Sequence, residues 1–286
     1  MRPAPALVHV IERAAGKKVK ASRPLSGGSV AQVLLIEMEG GGRLAAKIGR
    51  PGSSLPLEAW MLGYLARETR LPVPRVVHAS EELLLLEYIE SGDVLDSPAQ
   101  RHAAELLAAL HGITAPAFGL ERDTAIGDLP QPNPRSESWI GFFRDRRLLH
   151  MARAASAEKS LDAALLGRIE SLAARLDEFL EEPERPSLIH GDMWGGNVLA
   201  RGGRIAAFVD PAIYYADAEI ELAFSTLFST FGDAFFARYR ELRGIRPGFF
   251  EERCALYNLY PLLVHVRLFG GGYVAQVENT LARFGF

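Results

Sequence analysis

The 286 residues predict an α+β fold of two lobes, and three observations carry that prediction. β-rich runs separated by glycine turns fill the first third of the chain, and helical spacing fills most of the rest. A polar, hinge-like stretch, Ser91-Gly92-Asp93, lies between them, so the lobes divide as residues 1–90 and 91–286. After a short helix, VKASRPLSGGS, VAQVLLIEM and RLAAKIG read as strands, with turns at Gly27-Gly28 and Gly40-Gly41-Gly42. Pro56 to Thr69 has helical spacing, with Leu57, Met61, Leu62 and Leu65 on one stripe and Pro56 suited to the first turn. LPVP breaks that helix, and RVVHAS and ELLLLEYI supply two further strands.

Ser97 to His111 is an Ala/Leu-rich helix with Pro98 near its start. Residues 115–135 are rich in Pro and Gly and read as a loop, long enough to expect a functional role. Ser136 to Ala154 and Leu161 to Glu181 are helical, the second ending at PERP. One β island follows: SLIH, the loop GDMWGGN, VLA, the RGGR turn and IAAFVD, read together as one β-hairpin. Four more helical stretches, interrupted at Gly270-Gly271-Gly272, complete the chain.

Composition removes several function classes. A 48% hydrophobic, 23% charged chain is ordinary for a globular protein, and its net charge of −3 gives no global case for binding nucleic acid. No apolar run approaches the roughly 20 residues of a membrane span, and the prolines and charges of the first residues do not make a signal peptide. The single cysteine, Cys254, fits a reducing cytoplasm and reads as core packing. Five lysines stand against 27 arginines, and Lys47 is the one lysine between Ala21 and Glu158.

The strongest chemical signal is His190-Gly191-Asp192-Met193-Trp194-Gly195-Gly196-Asn197, an H-G-D-x-x-x-x-N pattern on a loop between two short apolar strands. Eighteen residues after Asp192, the strand IAAFV ends at Asp210. Phosphoryl transfer to an alcohol requires a carboxylate to take the hydroxyl proton and oxygen ligands to hold Mg²⁺ against nucleotide phosphates. Asp192 fits the base, and Asn197 and Asp210 fit the metal ligands, in the layout protein kinases use. The first lobe supplies the partners in order. Lys47, in an apolar strand after a glycine turn, is placed to neutralise the ATP phosphates, and Glu58, eleven residues later in a helix, to pair with it. Gly27, Gly28 and Ser29 occupy the turn expected to cover the phosphates, although the full G-x-G-x-x-G is absent. Glu87, Tyr88 and Ile89, at the last strand before the hinge, are placed to offer main-chain groups to adenine.

With these residues in hand, the sequence resembles the fructosamine kinase (ketosamine-3-kinase) family, relatives of aminoglycoside phosphotransferases with a protein-kinase-like fold. The resemblance runs through L-S-G-G-S at 25–29, F-G-L-E-R-D-T-A-I-G-D-L-P-Q-P-N at 118–133, S-W-I-G-F-F-R-D-R-R-L at 138–148, H-G-D-M-W-G-G-N-V, D-P-A-I-Y-Y-A-D-A-E-I-E-L-A from 210 and L-F-G-G-G-Y from 268. It implies a cytoplasmic enzyme using ATP and Mg²⁺ to phosphorylate the third sugar oxygen of ribulosamine or fructosamine adducts, free or protein-bound. Phosphorylation destabilises the adduct and so deglycates the amine. Members with Cys in the phosphate-covering loop can form an intersubunit disulfide, but Ser29 stands here, which favours a monomer. The family's E-x-D-L-A reads Glu219-Ile220-Glu221-Leu222-Ala223, with the longer Glu221 at the usual Asp position.

An acceptor amine is cationic, so Asp217, Glu219 and Asp123 are candidate substrate carboxylates, and Trp194 a candidate apolar wall for the sugar. His190 and His111 read as structural, and the aromatics of 224–257 as core. Two rivals remain: another small-molecule kinase on this fold, of aminoglycoside or choline type, and a catalytically silent nucleotide-binding scaffold. The first predicts a broadly acidic acceptor cleft. The second predicts loss of Lys47, Asp192, Asn197 or Asp210, all of which are present.

Overall fold

A computed structural model describes residues 5–25 and 32–286. The expected phosphate-covering turn at Gly27, Gly28 and Ser29 lies outside the described residues.

The first lobe is built on an antiparallel sheet, β1 (Val19–Pro24), β2 (Gln32–Met38), β3 (Arg43–Ile48), β4 (Val76–Ala79) and β5 (Leu83–Glu87), in the spatial order β1-β2-β3-β5-β4. β5 shows why its sequence is an unbroken apolar run. Successive side chains of a strand point to opposite faces, and here both faces are covered. Leu83 and Leu85 pack with Leu34 and Ile36 beneath α1 (Pro5–Ala15), which contributes Ile11. Leu84 and Leu86 pack on the other side against Leu55 and Leu62 of α2 (Leu55–Glu68). The stripe expected on α2 is therefore divided. Leu62 faces the sheet, whereas Leu57, Met61 and Leu65 join the larger core of the second lobe.

The second lobe begins with α3 (Ser97–His111), whose N-terminus is capped by Asp96 accepting from the Ala99 N–H at 2.9 Å. Two expectations are corrected beyond it. The 115–135 segment is not all loop, because β6 (Thr124–Ile126) and β7 (Leu129–Gln131) form a short antiparallel pair inside it. Three-residue strands are too short for a period to register, and side chains hold this pair in place (below). After α4 (Trp139–Phe143), a wider π turn (Arg144–Leu148), α5 (Leu149–Ala157) and α6 (Ala163–Ala173), the β island is more than one hairpin. β9 (Val198–Arg201) pairs with β10 (Arg204–Phe208), but β8 (Ser187–Ile189) pairs with β11 (Tyr214–Ala216), so the two ladders bracket the Asp192 loop. α7 (Ala218–Leu227), α8 (Asp233–Arg243), α9 (Cys254–Phe269) and α10 (Gly272–Arg283) complete the lobe, the last two separated at the glycine break. Cys254 is half-buried against the core, with Sγ 3.3 Å from Thr226 Oγ1. Among the described residues, no helix is long and apolar enough to cross a membrane.

The lobes meet along a cleft and are tied at several points. Glu90 forms ion pairs with Arg43 of β3 and Arg201 of β9. Phe208 N–H donates to Pro72 O at 2.8 Å, and the hydroxyls of Tyr64 and Tyr215 lie 3.2 Å apart.

Candidate active site

The cleft gathers Lys47, Glu58, Asp192, Asn197 and Asp210 around one cavity. β3 carries Lys47 in register with Val33 and Leu84, and Nζ donates to Glu58 Oε1 of α2 at 2.7 Å. The same Nζ bonds to Asp210 Oδ1, 163 residues away, which joins the two lobes. Burial works against the Lys47 charge, but Asp210 and Glu58 outweigh it and raise the ammonium's pKa well above its ordinary value. Burial likewise pushes the Glu58 carboxyl up, against the pull of Lys47.

The Asp192 loop is fixed from behind. Gly191 turns with φ +88°, and a Cβ there would lie 2.1 Å from Ala212 O, so glycine is required. The Gly191 N–H donates to Glu221 Oε1 at 2.7 Å. Glu221 Oε2 accepts from His111 Nε2 at 2.7 Å, and His111 Nδ1 accepts from the Tyr239 hydroxyl at 2.7 Å. The longer acid at this position thus reaches the loop and braces it. His190 is fully buried: Asp192 N–H points to its Nδ1 at 3.4 Å, and Ala212 N–H donates to its carbonyl at 2.7 Å. Burial lowers its pKa, consistent with a neutral, orienting imidazole.

Asn197 Nδ2 donates both to Asp192 O and to Asp192 Oδ2 at 2.9 Å, which leaves its amide oxygen for another partner. Asp210, a non-glycine residue at φ +54°, holds an uncommon backbone conformation of the kind found at functional positions. Burial, and then the like charge of Asp210, pushes the Asp192 carboxyl up to about 7. That value suits a group that accepts and returns a proton near neutrality. Two oxygen donors, the Asn197 amide and the Asp210 carboxylate, fit Mg²⁺, which is bound through few protein ligands plus phosphates and water.

Beside this cavity, Glu87, Tyr88 and Ile89 line a slot with Val33, Ala45 and Leu199, an apolar surface suited to a flat ring. Trp194 borders the catalytic cavity. Its ring lies so close over Gly196 that a Cβ there would come within 2.2 Å of it, which explains the glycine at that position.

The three carboxylates proposed for the acceptor amine are not brought to the cleft. Asp217 caps α7 and is buried, accepting from Glu219 N–H at 3.0 Å and the Tyr257 hydroxyl at 2.8 Å and pairing with Arg246. Glu219 pairs with Arg246 at 2.8 Å and Arg253 at 2.7 Å. Asp123 accepts from Asn133 N–H at 2.7 Å at the base of the β6–β7 pair. Sequence reasoning instead missed the β6–β7 turn. Gly127 and Asp128 border the catalytic cavity, and Ser54 Oγ, ahead of α2, donates to Asp128 Oδ1 at 2.9 Å across the lobes. The I-G-D-L-P-Q-P-N stretch was the available signal, without a spacing that assigns it chemistry.

The chain is similar to known proteins along most of its length. The family model described as fructosamine kinase matches residues 3–284. A probable ketoamine kinase of Synechocystis sp. is 33% identical over 276 residues, covering 92% of this chain and 90% of the relative. The chloroplastic protein-ribulosamine 3-kinase of Arabidopsis thaliana is 33% identical over 239 residues, covering 80% and 70%. Among solved structures, a candidate fructosamine-3-kinase of Thermobifida fusca superposes with a TM-score of 0.85 at 28% identity, covering 98% of this chain and all of that one (100%). A thermostable mutant aminoglycoside phosphotransferase solved with ADP and hygromycin B shares the fold, with a TM-score of 0.69 at 16% identity and 97% of each chain covered.

Proposed function

The chain belongs to the fructosamine kinase family, and from that premise we propose that it transfers the γ-phosphoryl group of ATP to the third-oxygen hydroxyl of a ribulosamine or fructosamine adduct. The observation that carries the proposal is the meeting of the Lys47–Glu58 pair with Asp192, Asn197 and Asp210 in one cavity. A bond forms between the sugar oxygen and the γ-phosphorus, the bond to the β,γ-bridging oxygen breaks, and ADP leaves with that electron pair. Asp192 orients the hydroxyl and takes its proton. Lys47, held by Glu58, meets the ATP phosphates. Glu87 to Ile89 border the adenine, and the sequence assigns Gly27, Gly28 and Ser29 to the phosphates. Asn197 and Asp210 would hold Mg²⁺, which neutralises phosphate charge when bound. Catalysis here is mostly positioning and electrostatics, shared between a nucleotide lobe of residues 1–90 and a catalytic lobe of residues 91–286.

The phosphorylated adduct is unstable and releases its amine, so the activity amounts to deglycation in the cytoplasm. An aminoglycoside- or choline-type kinase would want a broadly acidic acceptor cleft. Asp217, Glu219 and Asp123 are committed to structural partners and supply no such acidity.

The test is ADP release from MgATP with ribulosamine and fructosamine model compounds, set against kanamycin and choline, for the wild type and Asp192→Asn. Turnover on a ketosamine, lowered by about 10²–10⁴-fold in the variant, is expected. Turnover on kanamycin or choline alone would move the assignment to the rival kinase class.

A further inference from the structure

A second cavity of about 490 Å³ opens beside Asp192 and Trp194. Its wall is aromatic. Trp194 stands edge-on to Phe228 with ring centroids 6.5 Å apart, Phe228 lies 4.8 Å from His265, and His265 lies 5.5 Å from Phe269 and 4.9 Å from Tyr273. Besides Trp194 on the Asp192 loop, the wall is built from three helices. Phe228 caps the C-terminus of α7, and His265 and Phe269 occupy the last turns of α9. Gly270 and Gly271, at φ +65° and +58°, reverse the chain so that α10 returns Tyr273 to the same rings. The L-F-G-G-G-Y stretch thus makes part of the cavity, and Phe228, expected to be core, lines it.

Two further features bear on what the cavity accepts. Among the described residues lining it, Asp192 is the sole charged side chain. His265 donates through Nδ1–H to Pro261 O at 2.7 Å, and burial lowers its pKa, so the ring adds no positive charge. Phe269, 52% exposed, offers an apolar rim. Aromatic faces attract ammonium groups and cover hydrocarbon. They thereby do for an acceptor amine what the displaced carboxylates Asp217, Glu219 and Asp123 do not.

We propose that this aromatic cavity receives the amine end of the acceptor: its rings take the ammonium nitrogen and the carbon arm attached to it, while the sugar hydroxyl lies at Asp192. The enzyme therefore selects ketosamines whose amine carries an aromatic or aliphatic arm and discriminates against those with a carboxylate there. This rests on the ketosamine kinase reading above.

The test uses ribulose adducts of phenethylamine, methylamine and glycine with MgATP, for the wild type, Phe269→Ala and Tyr273→Ala. The phenethylamine adduct should exceed the methylamine adduct in kcat/KM by about tenfold, mainly through KM, with the glycine adduct poorest. Both variants should draw the phenethyl-to-methyl ratio toward one. Because Phe269 is half-exposed, its truncation leaves the fold intact. Equal kcat/KM for the three adducts, or a ratio that neither variant changes, overturns the cavity's role and leaves the kinase reading standing. Turnover of none of them overturns both.

Discussion

At Gly191 a single missing methyl group decides whether the catalytic loop closes. The backbone turns at φ +88° and lies against Ala212 O, so Gly191→Ala meets both a strained conformation and a 2.1 Å contact with main chain. The strain alone costs about 1–3 kcal/mol, and the contact adds to it. Gly191→Ala should lower the urea midpoint and cut kcat together, since Asp192 is the next residue; an unchanged midpoint would contradict this geometry. Glu221 acts on the same peptide from the other side. Its carboxylate spans the Gly191 N–H and His111 Nε2, each at 2.7 Å, and Glu221→Asp cannot reach both. One buried donor is then left unpaired, at about 1–3 kcal/mol, and kcat should fall more than the KM for ATP changes in steady-state kinetics. The spacing from His190 to Asn197 and on to Asp210 made these cleft residues legible in the sequence, because loop chemistry imposes a local order. The brace was not legible, because whether Glu or Asp fits depends on a gap between α3, α7 and the loop that no local pattern encodes.

Among the elements, long apolar runs announced themselves and short strands did not. β5 reads as a strand from four consecutive leucines because α1 and α2 cover both of its faces. β6 and β7 have three residues each, and side chains bonded across the lobe reinforce their short ladder. Gln131 Nε2 donates to Thr124 Oγ1 at 2.8 Å and to Ala212 O at 3.0 Å, and the Tyr260 hydroxyl donates to Gln131 Oε1 at 2.6 Å. Arg147 completes the clamp. Fully buried, it donates to Pro132 O at 2.9 Å and Asn133 Oδ1 at 2.5 Å, with its guanidinium 3.8 Å from the Tyr214 ring centroid. None of its hydrogen-bond partners is a carboxylate, so carbonyl dipoles and the Tyr214 face balance the charge. A lysine has neither the planar fork nor the stacking surface. Arg147→Lys should therefore cost about 2 kcal/mol or more through unpaired buried acceptors. It should also raise substrate KM, because the Gly127–Asp128 turn over the cleft loses its support. Denaturation and initial-rate kinetics check both effects, and a variant matching wild type in both would show that the clamp is not needed.

For the molecule as a whole, the polar connection at Ser91-Gly92-Asp93 invites a picture of two separable units, but α2 argues for one cooperative body. Met61, Tyr64 and Leu65 of α2 are buried in the same core as α3 and the Asp192 loop, while Leu55 and Leu62 hold the sheet. The Lys47 ion pairs with Glu58 and Asp210 tie the sheet, α2 and the strand end after β10 at one point. Unfolding either lobe would expose the α2 face it covers, so the two should melt together. The three tryptophans report on this from both sides, Trp60 from α2 and Trp139 and Trp194 from the second lobe. Thermal unfolding followed by tryptophan fluorescence and by far-ultraviolet circular dichroism should give coincident single transitions, the usual test of cooperativity. Leu65→Ala then makes the sharper case, since Leu65 is fully buried at the seam. Truncating a buried leucine costs about 2–5 kcal/mol, and the loss should move both signals by the same amount without splitting them. MgATP should shift both back, by about 2.7 kcal/mol at a hundredfold excess over its Kd. Two separated transitions in the variant, only one of them answering to MgATP, would mean that α2 belongs to one lobe and that the nucleotide is held by that lobe alone.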